Sequence, residues 1–257
     1  MSDPYTEAAA MLYSWLSKEM VRRYNRLDVD SRVGRVDGPV LFVANHGFGG
    51  IFDLNVFAAG VALEQLELDR PLTILTHELA WTLGVGSFVE ALGSRPACRA
   101  SAEEAFELGH HVLVFPGGDL DAGKTWKHRN DIVFGGRTGF ARLAMQHNVP
   151  IVPIVTAGAG ESLLVLSSGQ SVARALRLDK LLRLKTAPIS VSLPWGLNFG
   201  TVGLLPYVPL PTKLDTRVMA PMVSAAGETA AVYGARVQAA MQQALTEMTV
   251  SRLPLMG

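Results

Sequence analysis

His46 and Asp53 are the residues of this chain best suited to proton chemistry. They stand seven positions apart, and the segment between them carries Gly47, Gly49 and Gly50. A loop that rich in glycine can fold a carboxylate back onto an imidazole. An imidazole with one nitrogen held by a carboxylate acts as a general base, because the carboxylate selects the tautomer and stabilises the imidazolium that forms. Such a base can take the proton of an alcohol, whose oxygen then attacks an acyl carbonyl. Asp53 is the sole acidic residue between Asp37 and Glu64, so it is the partner at hand. The same spacing also fits a structural arrangement, with His46 bonded to backbone and Asp53 capping the next helix.

Other candidates are spread along the chain. Gly117 and Gly118 follow Pro116 and can bring backbone amides close to a ligand, as an oxyanion-stabilising turn requires, or form a plain turn. Arg137 stands behind Gly135 and Gly136 at an expected helix start. It can hold a phosphate or carboxylate, or pair with Asp119 or Asp131. Arg99 presents the same choice. Asp119 and Asp121 beside Lys124 read as a solvated loop. His110 and His111 are adjacent in a strand, so they point to opposite faces and share no metal. His77, His128 and His147 lack the companions of a zinc site. No metal and no cofactor is expected. Cys98 lies next to Arg99, which can lower a thiol pKa, but it reads first as a small buried residue. There is no Gly-x-Ser-x-Gly nucleophile elbow.

To position these side chains, strands must end where they stand. Residues 39–44 form an apolar run, a buried strand that ends at Asn45-His46-Gly47. A helical stretch over 53–66, a strand over 72–76 and a helical stretch over 77–92, breakable at Gly84 and Gly86, come next. Ser101 and Glu104 form a capping box whose helix stops at Gly109. Then follow a strand over 110–115, a helix over 137–147, a strand over 149–156 and a strand over 187–193. The two prolines of 149–156 suit an edge or an irregular start. A Pro- and Gly-rich stretch over 194–211 precedes a closing helix over 226–248. Strands alternating with helices predict an α/β fold, one domain with a largely parallel central sheet flanked by helices. In such sheets ligands collect at the carboxyl ends of the strands, where His46 stands.

The N-terminal segment reads as an amphipathic helix over 5–27. Tyr13, Leu16, Met20, Tyr24 and Leu27 form its packing stripe. Lys18, Arg22 and Arg26 form a basic stripe, with Met11 and Trp15 beside it. Solvated, that face is unremarkable; at a bilayer it would meet headgroups. Of 257 residues, 49% are hydrophobic and 18% charged, enough apolar material for a sizeable core. Lys+Arg and Asp+Glu are both 23, so no global charge points to nucleic acid. The mean hydropathy of +0.24 is high and hints at a greasy surface. One cysteine excludes an internal disulfide and suits the cytoplasm. Neither a signal peptide nor a spanning helix is expected, so any contact with lipid is peripheral.

The segment Val43-Ala44-Asn45-His46-Gly47-Phe48-Gly49-Gly50-Ile51-Phe52-Asp53 resembles the first block of the glycerolipid acyltransferase family. The family's usual spacer between His and Asp is four residues. Here it is six, as in an actinobacterial, diacylglycerol-acyltransferase-like branch. Ala97-Cys98-Arg99-Ala100-Ser101 resembles the second block, whose Arg meets acceptor phosphate. Phe115-Pro116-Gly117-Gly118 resembles the third, with Gly117 in place of the usual Glu and Leu120 in place of Arg. Gly135-Gly136-Arg137-Thr138-Gly139 is similar to the basic stretch after it, and Val149-Pro150-Ile151-Val152-Pro153-Ile154 to the fourth block.

This resemblance covers about residues 40–210. It implies a single acyltransferase domain over 1–257, with a helical appendage (1–36), a catalytic core (37–215) and a C-terminal helix (216–257). It implies acyl transfer from a fatty acyl thioester, acyl-CoA or acyl carrier protein, to a lipid alcohol, at the inner face of the membrane. His46 and Asp53 would be catalytic. Gly50, Gly117, Gly118, Arg99 and Arg137 would bind substrate. The greasy residues Trp195, Leu197, Phe199, Leu204, Leu205 and Tyr207 pack in the core by default, or cover the acyl chain or dip into a membrane. A hydrolase using the same His–Asp pair and a lipid-binding module without turnover are the rival readings.

Overall fold

The computed structural model describes residues 3–34, 36–48, 52–182, 184–200 and 207–257. Its centre is a seven-stranded sheet. The strands are β1 (Asp28–Ser31), β2 (Leu41–Ala44), β3 (Leu72–Thr76), β4 (Ser94–Pro96), β5 (His111–Val114), β6 (Ile151–Ala157) and a late strand, Asp215–Val218, numbered β10. They lie in the order β1-β10-β6-β2-β5-β3-β4. From β6 to β4 every pairing is parallel, whereas β10 runs antiparallel to β6 and β1 pairs with β10. The five parallel strands therefore deliver their carboxyl ends to one edge. Three further strands, β7 (Leu164–Ser167), β8 (Ile189–Ser192) and β9 (Gly196–Phe199), form a separate antiparallel sheet.

Alternation within β2 shows how the layers are sealed. Leu41 and Val43 face a cluster with Phe106 of α5 (Arg99–Glu107), Phe140 of α7 (Gly139–Gln146) and Tyr233 of α10 (Ala230–Thr249). Phe42 and Ala44 face Ala59, Ala62 and Leu63 of α2 (Leu54–Gln65) on the other side. Outside α2 lies α1 (Pro4–Glu19), capped by Asp3 and continued by a single π-turn over Met20–Tyr24.

Several elements depart from the sequence reading. Along α1 the buried residues are Ala10 and Ser17, with Val21 following; Leu16 is exposed. Small residues let the helix approach closely, and Tyr13 sets its edge against Phe57 and Phe88. Lys18 and Arg22 are not a free basic face: both pair with Glu64 of α2, at 2.5 and 2.6 Å. The 77–92 stretch is two short helices, α3 (Leu79–Thr82) and α4 (Gly86–Ala91), parted where Gly84 takes φ +78°. α5 begins at Arg99, so Ser101 lies inside the helix and the expected capping box does not form.

β6, whose prolines suit an edge or an irregular start, is central and fully buried, and it begins at Ile151 directly after Pro150. Its Pro153 is tolerated because the β6–β10 ladder stops at Ile154–Val218 and resumes only at the Ile151–Met222 bridge. The strand expected at 187–193 belongs to the second sheet, not the parallel one. β1 and β10 and a short helix, α6 (Gly118–Ala122), were not anticipated.

The C-terminal end is tied to this sheet by a buried ion-pair network. Arg252, past α10, bonds Glu161 at 2.9 Å and Asp215 of β10 at 2.7 Å, and the Arg252 and Glu161 side chains are 3% and 1% exposed. Glu161 also accepts from Leu255 N and Thr212 Oγ1. Removing one partner strands a buried charge, a loss of about 3–5 kcal/mol. Arg252→Met should therefore lower the unfolding free energy by that amount in urea titration; a loss below about 1 kcal/mol would show the network to be dispensable.

Candidate active site

The site grows from the end of β2. Asn45, the first residue past the strand, uses its amide twice on β6: Nδ2 donates to Thr156 O at 3.1 Å and Oδ1 accepts from Thr156 N at 2.9 Å. Asn55 of α2 donates to Asn45 O at 2.6 Å. The backbone is thus pinned from both sides before His46 leaves the sheet. Gly47 then passes so close to Ala159 that an added Cβ would lie 2.6 Å from the Ala159 Cβ, which leaves no room for a side chain there.

Asp53 does both things that the spacing allowed. Its Oδ1 accepts from Asn55 N at 3.0 Å and Val56 N at 3.4 Å, capping α2. Its Oδ2 lies 2.6 Å from His46 Nδ1. The carboxylate is rigid because the helix terminus holds one oxygen, and the second is left for the imidazole. The ring stacks on Phe115, at the end of β5, with centroids 4.7 Å apart, and its side chain is 16% exposed. Burial pushes the imidazole down. The charge and hydrogen bond of Asp53, with the charge of Asp121, outweigh burial and the opposing Lys124, so the ring titrates above the ordinary histidine range.

The sequence reading placed Asp121 and Lys124 in a solvated loop, and the structure corrects it. Both are buried, and their side chains meet at 2.6 Å. Asp121 Oδ2 accepts from His46 N at 2.7 Å, and Lys124 Nζ donates to His46 O at 3.1 Å. Lys124 also donates to Asp131 O, and Asp121 Oδ1 accepts from Val133 N. The pair therefore grips both polar atoms of the His46 backbone. The available signal was the i,i+3 spacing of Asp121 and Lys124 directly after the Pro-Gly-Gly turn.

That turn explains the missing Glu of the third block. A Cβ on Gly117 would come 2.2 Å from Asp121 Cβ and 2.7 Å from Val133 O, so Asp121 occupies the space a side chain there would need. Gly118 has φ +48°, and its amide donates to Phe115 O at 3.1 Å. Arg137 is turned inward: its guanidinium donates to Pro116 O, Gly117 O and Asp119 Oδ1, the structural ion pair that its position allowed. Arg99 stands at the start of α5, 68% exposed on its side chain and paired with Glu103 at 2.7 Å. Neither arginine contacts His46. Cys98 is exposed, not buried, and its thiol is lowered by hydrogen bonds from Ser101 rather than by Arg99. Gly50 lies outside the described residues, as do Leu204 and Leu205. Tyr207 is buried against Phe48 and Phe52. Among the described residues no helix is long and apolar enough to cross a membrane.

Residues 18–157 match the family profile described as Acyltransferase. A chicken protein named "DGAT1/2-independent enzyme synthesizing storage lipids" is 25% identical over 213 residues, covering 81% of this chain and 56% of that protein. Its human namesake is 29% identical over 120 residues, 47% of this chain and 36% of that protein. Phytyl ester synthase 1, chloroplastic, of Arabidopsis thaliana is 26% identical over 125 residues, 47% of this chain and 18% of that protein. The chain thus spans about half the length, or less, of these relatives. The crystal structure of the 1-acyl-sn-glycerophosphate (LPA) acyltransferase PlsC from Thermotoga maritima shares the fold, with a TM-score of 0.53 at 15% identity, over 98% of this chain and 85% of that one. The profile match takes in β2, His46, Asp53 and the Pro-Gly-Gly turn and covers more than half of the residues: the chain belongs to the acyltransferase family.

Proposed function

We propose that this protein moves a fatty acyl group from an acyl thioester, acyl-CoA or acyl carrier protein, to a hydroxyl of a glycerolipid or related lipid alcohol, working peripherally at the inner face of the membrane. The observation that carries the reading is the 2.6 Å contact of His46 Nδ1 with a carboxylate whose other oxygen is locked by a helix terminus. With Nδ1 held, Nε2 is the nitrogen left to act. It takes the proton of the acceptor hydroxyl as the oxygen attacks the thioester carbonyl. Collapse of the tetrahedral intermediate expels the CoA thiolate, which the imidazolium then protonates. No covalent acyl-enzyme is needed. Asp53 stabilises the imidazolium electrostatically. Asp121 and Lys124 are positioning residues, since they reach the chemistry only through the His46 backbone. Arg99, exposed at the same sheet edge, is the cation offered to a phosphate on acceptor or donor. Arg137 supports the Pro-Gly-Gly turn from which a backbone amide would face the oxyanion.

The first test is CoA release from palmitoyl-CoA with a panel of lipid alcohols. Release should require an acceptor, and His46→Ala should lower it by at least about a hundredfold. Release without any acceptor would make the protein a hydrolase, and an undiminished alanine variant would remove His46 as the base.

A base works unprotonated, and the His46 pKa is raised. The acid limb of kcat/KM should therefore lie above the ordinary histidine value of about 6.5, with activity lost as pH falls through it. Asp53→Asn removes the main influence that raises this pKa. The limb should move to lower pH while the plateau rate drops about a hundredfold or more. A limb that stays in place would show that another group is being titrated.

Asp121→Asn tests positioning. It removes a charge that raises the His46 pKa and leaves Lys124 buried without its counter-ion. The limb should move down in pH, kcat should fall with KM little changed, and stability should drop by about 3–5 kcal/mol. Loss of stability with an unmoved pH limb would reduce the pair to a structural role.

A further inference from the structure

The small sheet β7-β8-β9 carries its apolar residues on the outside. Leu164 (37% exposed), Leu166 (54%), Val191 (39%), Leu193 (59%), Leu197 (57%) and Phe199 (64%) are all turned to solvent. The register makes the patch continuous across the strands: Leu164 is opposite Val191, and Val191 opposite Leu197. The inward positions of β8 are Ser190 and Ser192, both buried, and Asn198 of β9 donates to Ser192 Oγ at 2.9 Å. An antiparallel sheet with one wet face normally shows the opposite pattern, polar outside and apolar inside. A contiguous exposed apolar patch marks a surface that meets something.

Charge identifies what it meets. The connection from β7 to β8 runs through two short helices, α8 (Gln170–Ala175) and α9 (Leu178–Leu181). It leaves and returns at one end of the sheet, where Ala187 N donates to Ser168 O at 3.1 Å. Along it Arg174, Arg177, Lys180 and Lys185 are exposed, and Val172 and Leu176 are exposed among them. Cations beside an open apolar face fit a bilayer with anionic headgroups: the hydrocarbon boundary takes the apolar side chains and the phosphates take the cations.

The sheet also adjoins the candidate active site. Val165, on the inward side of β7, packs in one cluster with Phe48, two residues after His46. Lys185 N donates to Asp119 Oδ2 and Thr186 Oγ1 to Asp119 O, next to the Pro-Gly-Gly turn. We infer that the outer face of β7-β8-β9, with the basic α8–α9 connection, is the surface by which this protein seats on an anionic lipid bilayer. The inference deepens the proposed function, and it rests on that reading only for why the site should face lipid. Seated this way, the edge that carries His46 lies beside the headgroup layer, where a lipid alcohol presents its hydroxyl.

The test is co-sedimentation of the full chain with vesicles of phosphatidylcholine and with vesicles of equal parts phosphatidylcholine and phosphatidylglycerol. No acyl donor is present, so the outcome is independent of catalysis. The wild type should bind the mixed vesicles at least about tenfold tighter than the neutral ones, with the difference fading in high salt. Leu197→Ser with Phe199→Ser should weaken binding to both vesicles about tenfold or more. Arg174→Gln with Arg177→Gln and Lys180→Gln should erase the preference for phosphatidylglycerol. These side chains are exposed, so the unfolding midpoint should stay in place.

Leu12→Ser with Trp15→Ser on α1, a second exposed apolar face, is the control and should bind as wild type. The inference is overturned if the wild type binds neither vesicle, if the sheet variants bind unchanged, if only the α1 variant loses binding, or if the chain is a dimer that the sheet variants dissociate. Vesicle binding lost in the sheet variants, with no CoA release under any acceptor, would instead overturn the acyl-transfer reading and leave the docking surface standing.

Discussion

The buried pair Asp121–Lys124 is the constraint on which the rest of the site depends. An ammonium and a carboxylate removed from water are costly, and they are stable only when their remaining hydrogen-bonding capacity is filled. Lys124 has three donors, and they go to Asp121 Oδ1, Asp131 O and His46 O. Asp121 accepts from Lys124, Val133 N and His46 N. Two of these bonds end on the backbone of one residue, so the pair is satisfied only when His46 is where it is. A loop next to a glycine-rich segment would otherwise be free to wander, and the imidazole with it. The demand for buried-charge satisfaction in the third block is thereby converted into placement of the His46 imidazole in the first.

The glycines around the site follow from the same constraint. Gly117 cannot carry a side chain because Asp121 Cβ stands 2.2 Å from where its Cβ would be. With this backbone any side chain at position 117 would collide with Asp121 Cβ and Val133 O, and the carboxylate that supports the turn comes from position 121. Arg137, with its guanidinium on the carbonyls of Pro116 and Gly117 and on Asp119, fixes the turn from the opposite side. What looked like a degraded motif is a different arrangement of the charges that support one loop.

Legibility in the sequence followed the range of the interactions. β2, β3 and β5 were readable because strands of a covered parallel sheet are short runs rich in Leu, Val, Ile and Phe, and the placement of His46 after β2 followed directly. The proximity of Asp53 was readable because it is local. β1 (Asp-Val-Asp-Ser) and β10 (Asp-Thr-Arg-Val) were not. Their polar residues are held by ion pairs between residues distant in sequence, such as Arg217–Asp30 and Lys213–Asp28, which no periodicity records. The packing face of α1 is legible only in part: Tyr13, Met20 and Leu27 of the expected stripe pack on the core, but small Ala10 and Ser17 set the approach and leave Leu16 and Tyr24 exposed. Asp121 and Lys124 looked solvated because charge near a turn usually is, and only tertiary structure shows them buried.

The outward apolar positions of the second sheet mark a further limit. A strand pattern of alternating apolar and polar residues states that two faces differ and that the apolar one is expected inside. In β8 the sequence Ile-Ser-Val-Ser would by default seat Ile189 and Val191 inward, and the structure has the serines inward instead. What decides is that β7 enters beside Phe48 and that the segment leading into β8 is fastened to Asp119, which turns Ser190 and Ser192 toward the protein and Val191 away from it. The burial of Ser190 and Ser192 is thus set by the attachment of the sheet to the loops around Phe48 and Asp119. The same attachment couples the orientation of the exposed apolar face to the position of His46.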